Sequence, residues 1–341
     1  MTHARRYPLT LSGHLFRRQA MKGSTTGRFS RLFARLDLAA RIIAREVNRA
    51  GLAGVLGSAG AVNVQDEEVQ KLDQIGNQVF LDALSDTGLV VAVASEEMEE
   101  PFVYDDAPDG HYVLCFDPVD GSSNLDVNGI VGTIFSVLKK RGSGPAHARA
   151  DVLQPGTAQV AAGYIMYGPS TLLMLTTGDG LHGFTLDRAT GLFVRTLASV
   201  RIPARGRTYS INDGNFVYWP VGVRRFVEHV RQRDVPSGRP YTARYVGSLV
   251  ADVHRTLHDG GVYLYPEDAP GSGKQSTGKL RLMYEASPMA MLIEQAGGAA
   301  STLRARILDL EPTGPHQRVP LVIGSPEDVR LAEDFYADRR A

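Results

Sequence analysis

The sequence predicts an α/β fold, and three observations lead to that prediction. Apolar runs of strand length, such as 112–116, end in turn residues. Longer stretches between such runs carry apolar residues at spacings of three and four, the period of an amphipathic helix. Near residue 200 a series of strands gives way to alternating strands and helices, which indicates a second α/β unit. We therefore expect an N-terminal domain over 1–200 and a C-terminal domain over 201–341.

The composition is that of an ordinary globular protein with no net charge. The 341 residues include 37 Lys plus Arg and 37 Asp plus Glu, so no net field favours nucleic acid or a membrane. The single cysteine, Cys115, excludes an intrachain disulfide and a cysteine-built zinc site. No apolar run approaches the length of a transmembrane helix. The Arg-rich stretch before Asp37 superficially resembles a transit peptide, but a helix starting near Arg28 leaves little room for one, so we expect a cytoplasmic protein.

The N-terminal half opens with an amphipathic helix predicted over 28–50. Its apolar face consists of Phe29, Leu32, Leu36, Ala39, Ile43 and Val47. Gly51 can end this helix, and the Gly-, Ala- and Val-rich residues 51–65 predict a mobile loop. A second helix follows, with an apolar face formed by Val69, Leu72, Ile75 and Val79.

The remaining elements are mostly strands in the first half and mixed in the second. Strands are predicted at 89–94, 112–116, 131–139, 160–167, 172–176, 182–186 and 192–197. Gly and Asp turns separate the later ones, which is typical of an antiparallel meander. After residue 200 we expect strands at 208–212, 262–265, 279–285 and 321–324, with helices near 221–232 and 247–258, from 288 to the glycines at 297 and 298, and from 325 onward.

The residues with the clearest chemistry form the motif Asp-Pro-Val-Asp-Gly-Ser-Ser-Asn at 117–124. Its two carboxylates follow a buried strand, at the end where open α/β sheets place ligands. Gly121 lets the backbone approach a ligand closely, and the Ser and Asn residues are types that start helices, whose free amides bind anions. Carboxylates for a metal beside amides for a phosphate predict metal-assisted phosphoryl chemistry. The alternative is an Asp-Pro turn followed by an ordinary capped helix.

A second carboxylate pair, Glu96 and Glu97, follows the predicted strand 89–94. Two such pairs on neighbouring strands could converge on one site. Carboxylates a few ångströms apart repel by roughly 1 to 4 kcal/mol per pair, so a cation is the natural compensation. Ligands that are all oxygen indicate magnesium or manganese.

These motifs resemble class I fructose-1,6-bisphosphatases. The motif 117–124 is similar to that family's signature, and the wider sugar- and inositol-phosphatase superfamily shares its Asp-Pro-x-Asp-Gly part. Further matching stretches are 69–73, 95–97, 131–135, 244–248, 251–256, 278–285 and 294–298, and the likeness spans about 9–338. The resemblance implies a layered α-β-α-β-α sugar-phosphatase fold and a homotetramer. It implies hydrolysis of the 1-phosphate of fructose 1,6-bisphosphate, in gluconeogenesis or the Calvin cycle.

The resemblance also implies roles for individual residues. Two or more Mg²⁺ or Mn²⁺ ions per subunit would be held by Glu96, Asp117, Asp120, Glu285 and the Val119 carbonyl. Glu97 and Asp73 would orient and deprotonate the attacking water, and Glu67 would assist from the loop side when that loop closes. The 1-phosphate would be held by Gly121, Ser122 and Ser123. The sugar and 6-phosphate would be held by Asn212, Tyr245, Tyr265 and Lys279, with Arg244 reaching in from a neighbouring subunit.

A regulatory site for AMP is implied at the start of the first long helix. The candidate residues are Thr26, Gly27, Arg28, Ser30, Tyr112 and Lys139. Family members place a Lys before the Tyr and an Arg near the end of the strand after the signature, where this chain has His111 and Lys139. A histidine is mostly neutral at pH 7, and a lysine lacks the planar fork that grips phosphate. We therefore expect weak inhibition by AMP.

Three other functions compete with this interpretation. A bifunctional enzyme would also cleave sedoheptulose 1,7-bisphosphate, and the departure at Asn215 and Phe216, where family members often carry a Tyr, leaves the distal phosphate contact open. A catalytically inactive sugar-phosphate sensor would have lost a carboxylate ligand, yet all the expected ones are present. An inositol-monophosphatase-like enzyme would lack the residues around Arg244 and Lys279.

Overall fold

The computed structural model describes residues 8–21, 27–54, 56–62, 68–105, 107, 110–142, 148–272 and 277–339. Its α-helices are α1 (Leu11–Met21), α2 (Arg28–Asn48), α3 (Ala50–Ala53), α4 (Lys71–Leu84), α5 (Ala148–Val152), α6 (Val221–Arg231), α7 (Leu249–Asp259), α8 (Ser287–Gln295) and α9 (Pro326–Tyr336). Short 3₁₀ turns cover Ser122–Val127, Gly156–Ala158, Asp213–Tyr218, Val235–Ser237 and Ile307–Asp309, and a π-helical turn covers Leu282–Ala286.

The strands fall into two principal sheets and two small ribbons. The strands are β1 (Ser58–Val62), β2 (Glu68–Gln70), β3 (Val90–Ser95), β4 (Phe102–Val103), β5 (Tyr112–Asp120), β6 (Val131–Lys139), β7 (Gln159–Tyr167), β8 (Thr171–Thr176), β9 (Leu181–Asp187), β10 (Leu192–Val200), β11 (Thr208–Ser210), β12 (Thr242–Ala243), β13 (Val262–Tyr265), β14 (Leu280–Arg281), β15 (Ala299–Ser301), β16 (Arg318–Val319) and β17 (Leu321–Gly324). Strands β1 and β2 form one ribbon, and β14 and β16 form the other.

The large sheet has the order β10-β9-β8-β7-β6-β5-β3-β4. Strands β3 and β5 run parallel, and the other neighbouring pairs run antiparallel. The predicted meander is therefore confirmed. The small sheet has the order β12-β11-β13-β17-β15, in which β11 runs parallel to both of its neighbours.

The two sheets are stacked with helices between and outside them. Helices α1, α2 and α4 cover one face of the large sheet, while α7 and α8 lie between it and the small sheet. Helices α6 and α9 pack together on the far face of the small sheet. The layers thus follow the order helix, sheet, helix, sheet, helix, which confirms the predicted α-β-α-β-α arrangement. Within the described residues, no helix combines the length and apolar character needed to cross a membrane.

Close packing between α7 and the large sheet depends on a glycine of β6. A Cβ at Gly132 would come within 2.6 Å of the Val250 side chain, closer than real carbon atoms approach. The missing side chain lets the first turn of α7 lie directly on the sheet. This contact brings the N-terminus of α7 to the end of β5, where the motif 117–124 begins.

Three local predictions differ from the structure. The expected strand 279–285 is a two-residue strand followed by the π-helical turn Leu282–Ala286, because a short buried apolar run has no periodicity that separates strand from helix. Part of the expected loop 51–65 is ordered as α3 and β1. Helix α1, which the sequence analysis did not predict, packs against α2 and β10.

Candidate active site

The two predicted carboxylate pairs meet because their strands are direct neighbours. Strands β3 and β5 pair in parallel with Ser95 opposite Phe116, so Glu96 and Asp117 follow at the same edge. The Glu96 amide donates to the Phe116 carbonyl over 3.3 Å, which holds the two strand ends together. Asp117 and Asp120 are buried, with 2% and 7% of their surfaces exposed.

A cavity of about 180 Å³ opens at this edge. Its walls are mostly acidic and polar and come from four segments of the chain. The lining residues are Asp73, Glu96, Glu97, Asp117, Val119, Asp120, Gly121, Ser122, Ser123, Arg281 and Glu285. Carboxylate oxygens of Asp117, Asp120 and Glu285 lie within 4.8 Å of one another, and all three residues are buried. Such a set of hard oxygen donors fits Mg²⁺ or Mn²⁺.

The ionisation of these carboxyl groups shows how strongly the cavity disfavours uncompensated charge. Burial raises the pKa of Asp117 well above its usual value, and the charges of Glu96, Asp120 and Glu285 raise it further. Burial also raises the pKa of Glu285 to about 8, although the Arg281 guanidinium opposes the shift. A bound divalent cation would remove both causes, since it neutralises the repulsion and replaces the lost water.

Asp120 is anchored by the N-terminus of α7. Its carboxylate accepts hydrogen bonds from the Ser248 hydroxyl at 2.6 Å, the Val250 amide at 2.8 Å and the Leu249 amide at 3.1 Å. Burial raises the pKa of Asp120, while these donors lower it. The free amides and positive dipole end of a helix favour a carboxylate here, so Asp120 has one fixed orientation.

Other backbone contacts hold the remaining acidic side chains. The Val119 amide donates to Asp117 over 3.0 Å, and the Thr133 hydroxyl donates to the Pro118 carbonyl over 2.7 Å. Asp73 accepts the Gln70 amide at 2.9 Å within a capping box at the start of α4. Secondary structure therefore positions each of these groups before any ligand is bound.

The turn after Asp120 has a backbone that favours glycine. Gly121 has a φ of 70°, in the left-handed region, and a Cβ there would come within 2.8 Å of Cβ of Ser248. The 3₁₀ turn Ser122–Val127 follows at once. This geometry directs the chain from the acidic edge of the sheet into a segment that lines the same cavity with Ser122 and Ser123.

Arg281 is a site residue that the sequence analysis missed. Its Nη2 lies 2.9 Å from Oε1 of Glu96, and its backbone amide donates to Glu285 over 2.6 Å. It is the basic group among the cavity-lining residues described above. Its position four residues before Glu285, in the matching stretch 278–285, was the available signal.

A second cavity contains most of the residues predicted to bind the distal phosphate. It is lined by Ile211, Asn212, Asn215, Trp219, Leu264, Tyr265, Pro266, Asp268 and Lys279. Tyr245 lies beside it and hydrogen-bonds the Asn212 side chain, and burial raises the pKa of the Tyr245 hydroxyl to about 12. The exposed Arg244 donates to its own chain's Ala243 carbonyl at 2.9 Å and lies outside the lining of this cavity.

Most of the predicted regulatory residues also come together. Gly27, with a left-handed φ of 66°, precedes α2. Arg28 Nη1 lies 2.5 Å from Nε2 of His111, and Tyr112 pairs across the sheet with Lys139. The Ser30 hydroxyl instead donates to Gln19 at 2.7 Å. Thr26 and Glu67 lie outside the described residues.

Comparison with known proteins identifies the family. The chain is 50% identical over 337 residues to the class 1 fructose-1,6-bisphosphatase of Nitratidesulfovibrio vulgaris, covering 98% of this chain and 99% of that one. The chain belongs to the class 1 fructose-1,6-bisphosphatase family. These enzymes are phosphoric monoester hydrolases. The family member of Maridesulfovibrio salexigens is 48% identical over 332 residues, covering 97% and 98% of the two chains.

The family models and a solved structure agree with this assignment. The fructose-1-6-bisphosphatase N-terminal domain matches residues 9–198, and the C-terminal domain matches residues 202–337. The crystal structure of Leishmania major fructose-1,6-bisphosphatase in holo form superposes with a TM-score of 0.89 at 37% identity, over 97% of this chain and 99% of that chain. The α/β sugar-phosphatase fold is thus shared with a fructose-1,6-bisphosphatase of known structure.

Proposed function

We propose that this chain hydrolyses the 1-phosphate of fructose 1,6-bisphosphate to give fructose 6-phosphate and inorganic phosphate. The observation that carries the proposal is the cluster of buried Asp117, Asp120 and Glu285 beside the Gly121 turn, in a chain of this family. The cluster supports a requirement for Mg²⁺ or Mn²⁺, because buried carboxylates this close need cationic compensation. A count of two or more ions per subunit is part of the same proposal.

The metal ligands in this proposal are Glu96, Asp117, Asp120, Glu285 and the Val119 carbonyl. When bound, divalent cations at this cluster supply Lewis-acid stabilisation of the leaving oxygen and a lower pKa for the attacking water. Arg281 holds Glu96 in place through its ion pair at 2.9 Å. The contacts that already orient Asp117 and Asp120 reduce the reorganisation needed when the charge develops.

The remaining cavity residues handle the proton and the phosphate. Glu97 takes a proton from the attacking water, and Asp73, fixed by its capping bond to the Gln70 amide, orients that water. Glu67 assists from the loop side. Gly121, Ser122 and Ser123 hold the 1-phosphate through backbone amides and hydroxyls.

The second cavity binds the other end of the substrate in this proposal. Asn212, Tyr245, Tyr265 and Lys279 bind the sugar and the 6-phosphate, because donors and a cationic group suit a phosphate. Arg244 adds a contact from a neighbouring subunit of a homotetramer. Its exposure and its position outside the cavity of its own chain support that assignment.

The decisive experiment compares phosphate release from three substrates with and without Mg²⁺. We expect release from fructose 1,6-bisphosphate in Mg²⁺, little from inositol phosphate, and none in excess chelator. We also expect appreciable release from sedoheptulose 1,7-bisphosphate, because the segment at Asn215 and Phe216 departs from the family pattern. A protein that binds the sugar bisphosphate without releasing phosphate would instead be a sensor.

The cellular assignments also belong to this proposal. We infer a cytoplasmic enzyme of gluconeogenesis or the Calvin cycle.

The domain division and the oligomeric state are also part of the proposal. We infer a division of the chain into a domain over 1–200, with the metal site, and a domain over 201–341, with the sugar site. Size measurement in solution tests the tetramer, and separate expression of the two segments tests the division.

Weak inhibition by AMP is the regulatory part of the proposal. The Arg28 guanidinium contacts His111. A nucleotide phosphate that binds Arg28 would therefore have to compete with His111 for the guanidinium. Loss of one charged hydrogen bond costs roughly 1.5 to 3 kcal/mol, about ten- to a hundredfold in affinity. Half-inhibition by low-micromolar AMP at slightly alkaline pH would contradict it.

A further inference from the structure

Helix α7 carries two histidines, His254 and His258, on one face and one turn apart. Their ring centroids lie 4.6 Å apart, and the ring planes are inclined at 66°. His254 is half-buried and His258 is exposed. Two histidines four residues apart on a helix can direct two imidazole nitrogens at one metal ion, as in the helical zinc motif of metalloproteases.

The orientation of His254 is fixed from the large sheet. The Tyr164 hydroxyl lies 2.7 Å from Nδ1 of His254. Tyr164 is fully buried, and burial raises its pKa far above neutrality, so the phenol keeps its proton. The hydrogen bond is compatible with two tautomers of His254: the phenol can donate to Nδ1, which puts the ring proton on Nε2, or Nδ1–H can donate to the phenol oxygen, which leaves Nε2 the lone pair that a metal requires. Metal binding at Nε2 selects the second tautomer. Metal-binding histidines typically have their second ring nitrogen held in this way.

Both rings have the protonation state of ligands. Burial lowers the pKa of His254 to about 4, and His258 and Arg255 act in the same direction. Burial also lowers the pKa of His258, while the nearby Asp259 carboxylate opposes that shift. Neutral imidazole is the form that binds metal, so no proton has to be displaced at pH 7.

Charges of both signs surround the pair: Arg255 opposes positive charge at His254, whereas Asp259 favours it at His258. His258 lies in the last turn of α7, where the negative end of the helix dipole attracts positive charge. Asp259 is also nearby and pairs with Arg255 at 3.7 Å. Among the described residues, groups of three or more His, Cys, Asp or Glu ligands occur at the carboxylate cluster and not here. Water would therefore complete the coordination of an ion held by the two histidines.

We propose that His254 and His258 form a binding site for a divalent transition metal, of which Zn²⁺ is the representative case. The site is separate from the carboxylate cluster, which takes its ligands from other segments of the chain. Imidazole donors suit zinc, nickel and copper, whereas carboxylate donors suit magnesium and manganese. The chain thus presents two cation sites of different preference, the carboxylate cluster and the histidine pair.

The test is a titration of the full-length chain with Zn²⁺ in saturating Mg²⁺, so that Mg²⁺ occupies the carboxylate cluster. Isothermal titration calorimetry counts the Zn²⁺ sites, and histidine NMR resonances locate them. We expect the signals of His254 and His258 to shift together, and His258→Gln to bind one Zn²⁺ fewer per chain. Tyr164→Phe should weaken binding by about 10- to 100-fold, the usual effect of losing a ligand's hydrogen-bond partner.

The matched control is Arg255→Gln, which alters the same helix without removing an imidazole. It should retain the Zn²⁺ site. His258 is exposed, so its substitution should leave the melting temperature in Mg²⁺ unchanged, and His258→Asn provides a second variant. Equal Zn²⁺ stoichiometry and affinity in wild type and His258→Gln, or shifts confined to other histidines, would show that the pair is only an aromatic contact and that the proposal is wrong.

Discussion

The two cavities of this molecule are built in opposite ways. The cavity around Asp117 and Asp120 has buried carboxylates at the ends of two strands, each held by backbone or helix-end contacts. The cavity around Asn212 and Lys279 is formed largely by loop residues, and Lys279 is exposed. The first concentrates carboxyl groups away from water, and the second presents donors close to water.

In the proposed function, this contrast separates the cavity that performs the chemistry from the cavity that binds the distal phosphate. Fixed buried charges act most strongly on a transition state, because they are screened little and reorganise little. An exposed cation on a flexible side chain is screened by solvent, so it contributes chiefly to substrate binding. Substitutions in the acidic cavity should therefore lower turnover, and substitutions in the distal cavity should raise the Michaelis constant. Four measurements test this contrast.

The largest effect is expected for Asp120→Asn in the presence of Mg²⁺. We expect kcat/KM to fall by about 10³-fold or more, since the change removes a proposed metal ligand. The Mg²⁺-dependent rise in melting temperature should shrink as well, which separates metal loss from misfolding. The control is Asp126→Asn, an exposed carboxylate just beyond the cavity. Full turnover in excess chelator would overturn the metal requirement.

The next effect is expected for Glu97→Gln. Turnover should fall by about 10²- to 10⁴-fold, the usual contribution of a positioned general base. The Michaelis constant should change little, because the lost interaction is made in the transition state. Steady-state kinetics separate the two, with the exposed Glu99→Gln as control. A raised Michaelis constant with normal turnover would show that Glu97 does not activate the attacking water.

A smaller effect is expected for Lys279→Ala in the distal cavity. The Michaelis constant for fructose 1,6-bisphosphate should rise by about ten- to a hundredfold, because one charged hydrogen bond to phosphate is lost. Turnover should fall much less. Lys140→Ala, at a half-buried lysine outside the lining of both cavities, provides the control. If turnover fell and the Michaelis constant held steady, the distinction between the cavities would fail.

The smallest effect is on the stability of the metal-free protein. The pKa of Glu285 is raised to about 8 in the folded chain, from an ordinary value near 4.5. Below about pH 4.5 the carboxyl is protonated in both states, and as pH rises toward 8 only the unfolded chain releases the proton. This contribution to stability is therefore lost as pH rises through that range. Melting in chelator should show the decline, and Mg²⁺ should stabilise the protein more at pH 8 than at pH 5.

The sequence predicted the acidic cavity better than it predicted the contacts within it. Two carboxylate pairs after apolar runs were visible locally, and parallel pairing of β3 and β5 brings them together. Ser248 was not predicted to hold Asp120, because the two residues are 128 positions apart and only the packing of α7 on the large sheet joins them. Arg281 escaped notice because its partner Glu96 belongs to another strand end.

The resemblance to the bisphosphatase family predicted distal-site residues that local sequence patterns did not indicate. Lys279 and Tyr265, taken alone, are an ordinary surface lysine and an ordinary core aromatic. Their shared cavity appears only when β13 and the loop before β14 are placed side by side. The expected strand 279–285 was wrong for a related reason: Glu285 lies in a π-helical turn, and that conformation has no sequence period of its own.

The hydrogen bonds between Asp120 and the start of α7 mean that the two halves of the chain must be inherited together. Asp120 ends a strand of the large sheet, whereas Ser248 begins a helix that also packs on β11, β13 and β17. A recombination crossover near residue 200 would draw the carboxylate from one parent and its hydrogen-bond donors from the other. Chimeras of two relatives would therefore keep the contacts of Asp120 only where both parents place that helix at the same depth on the large sheet.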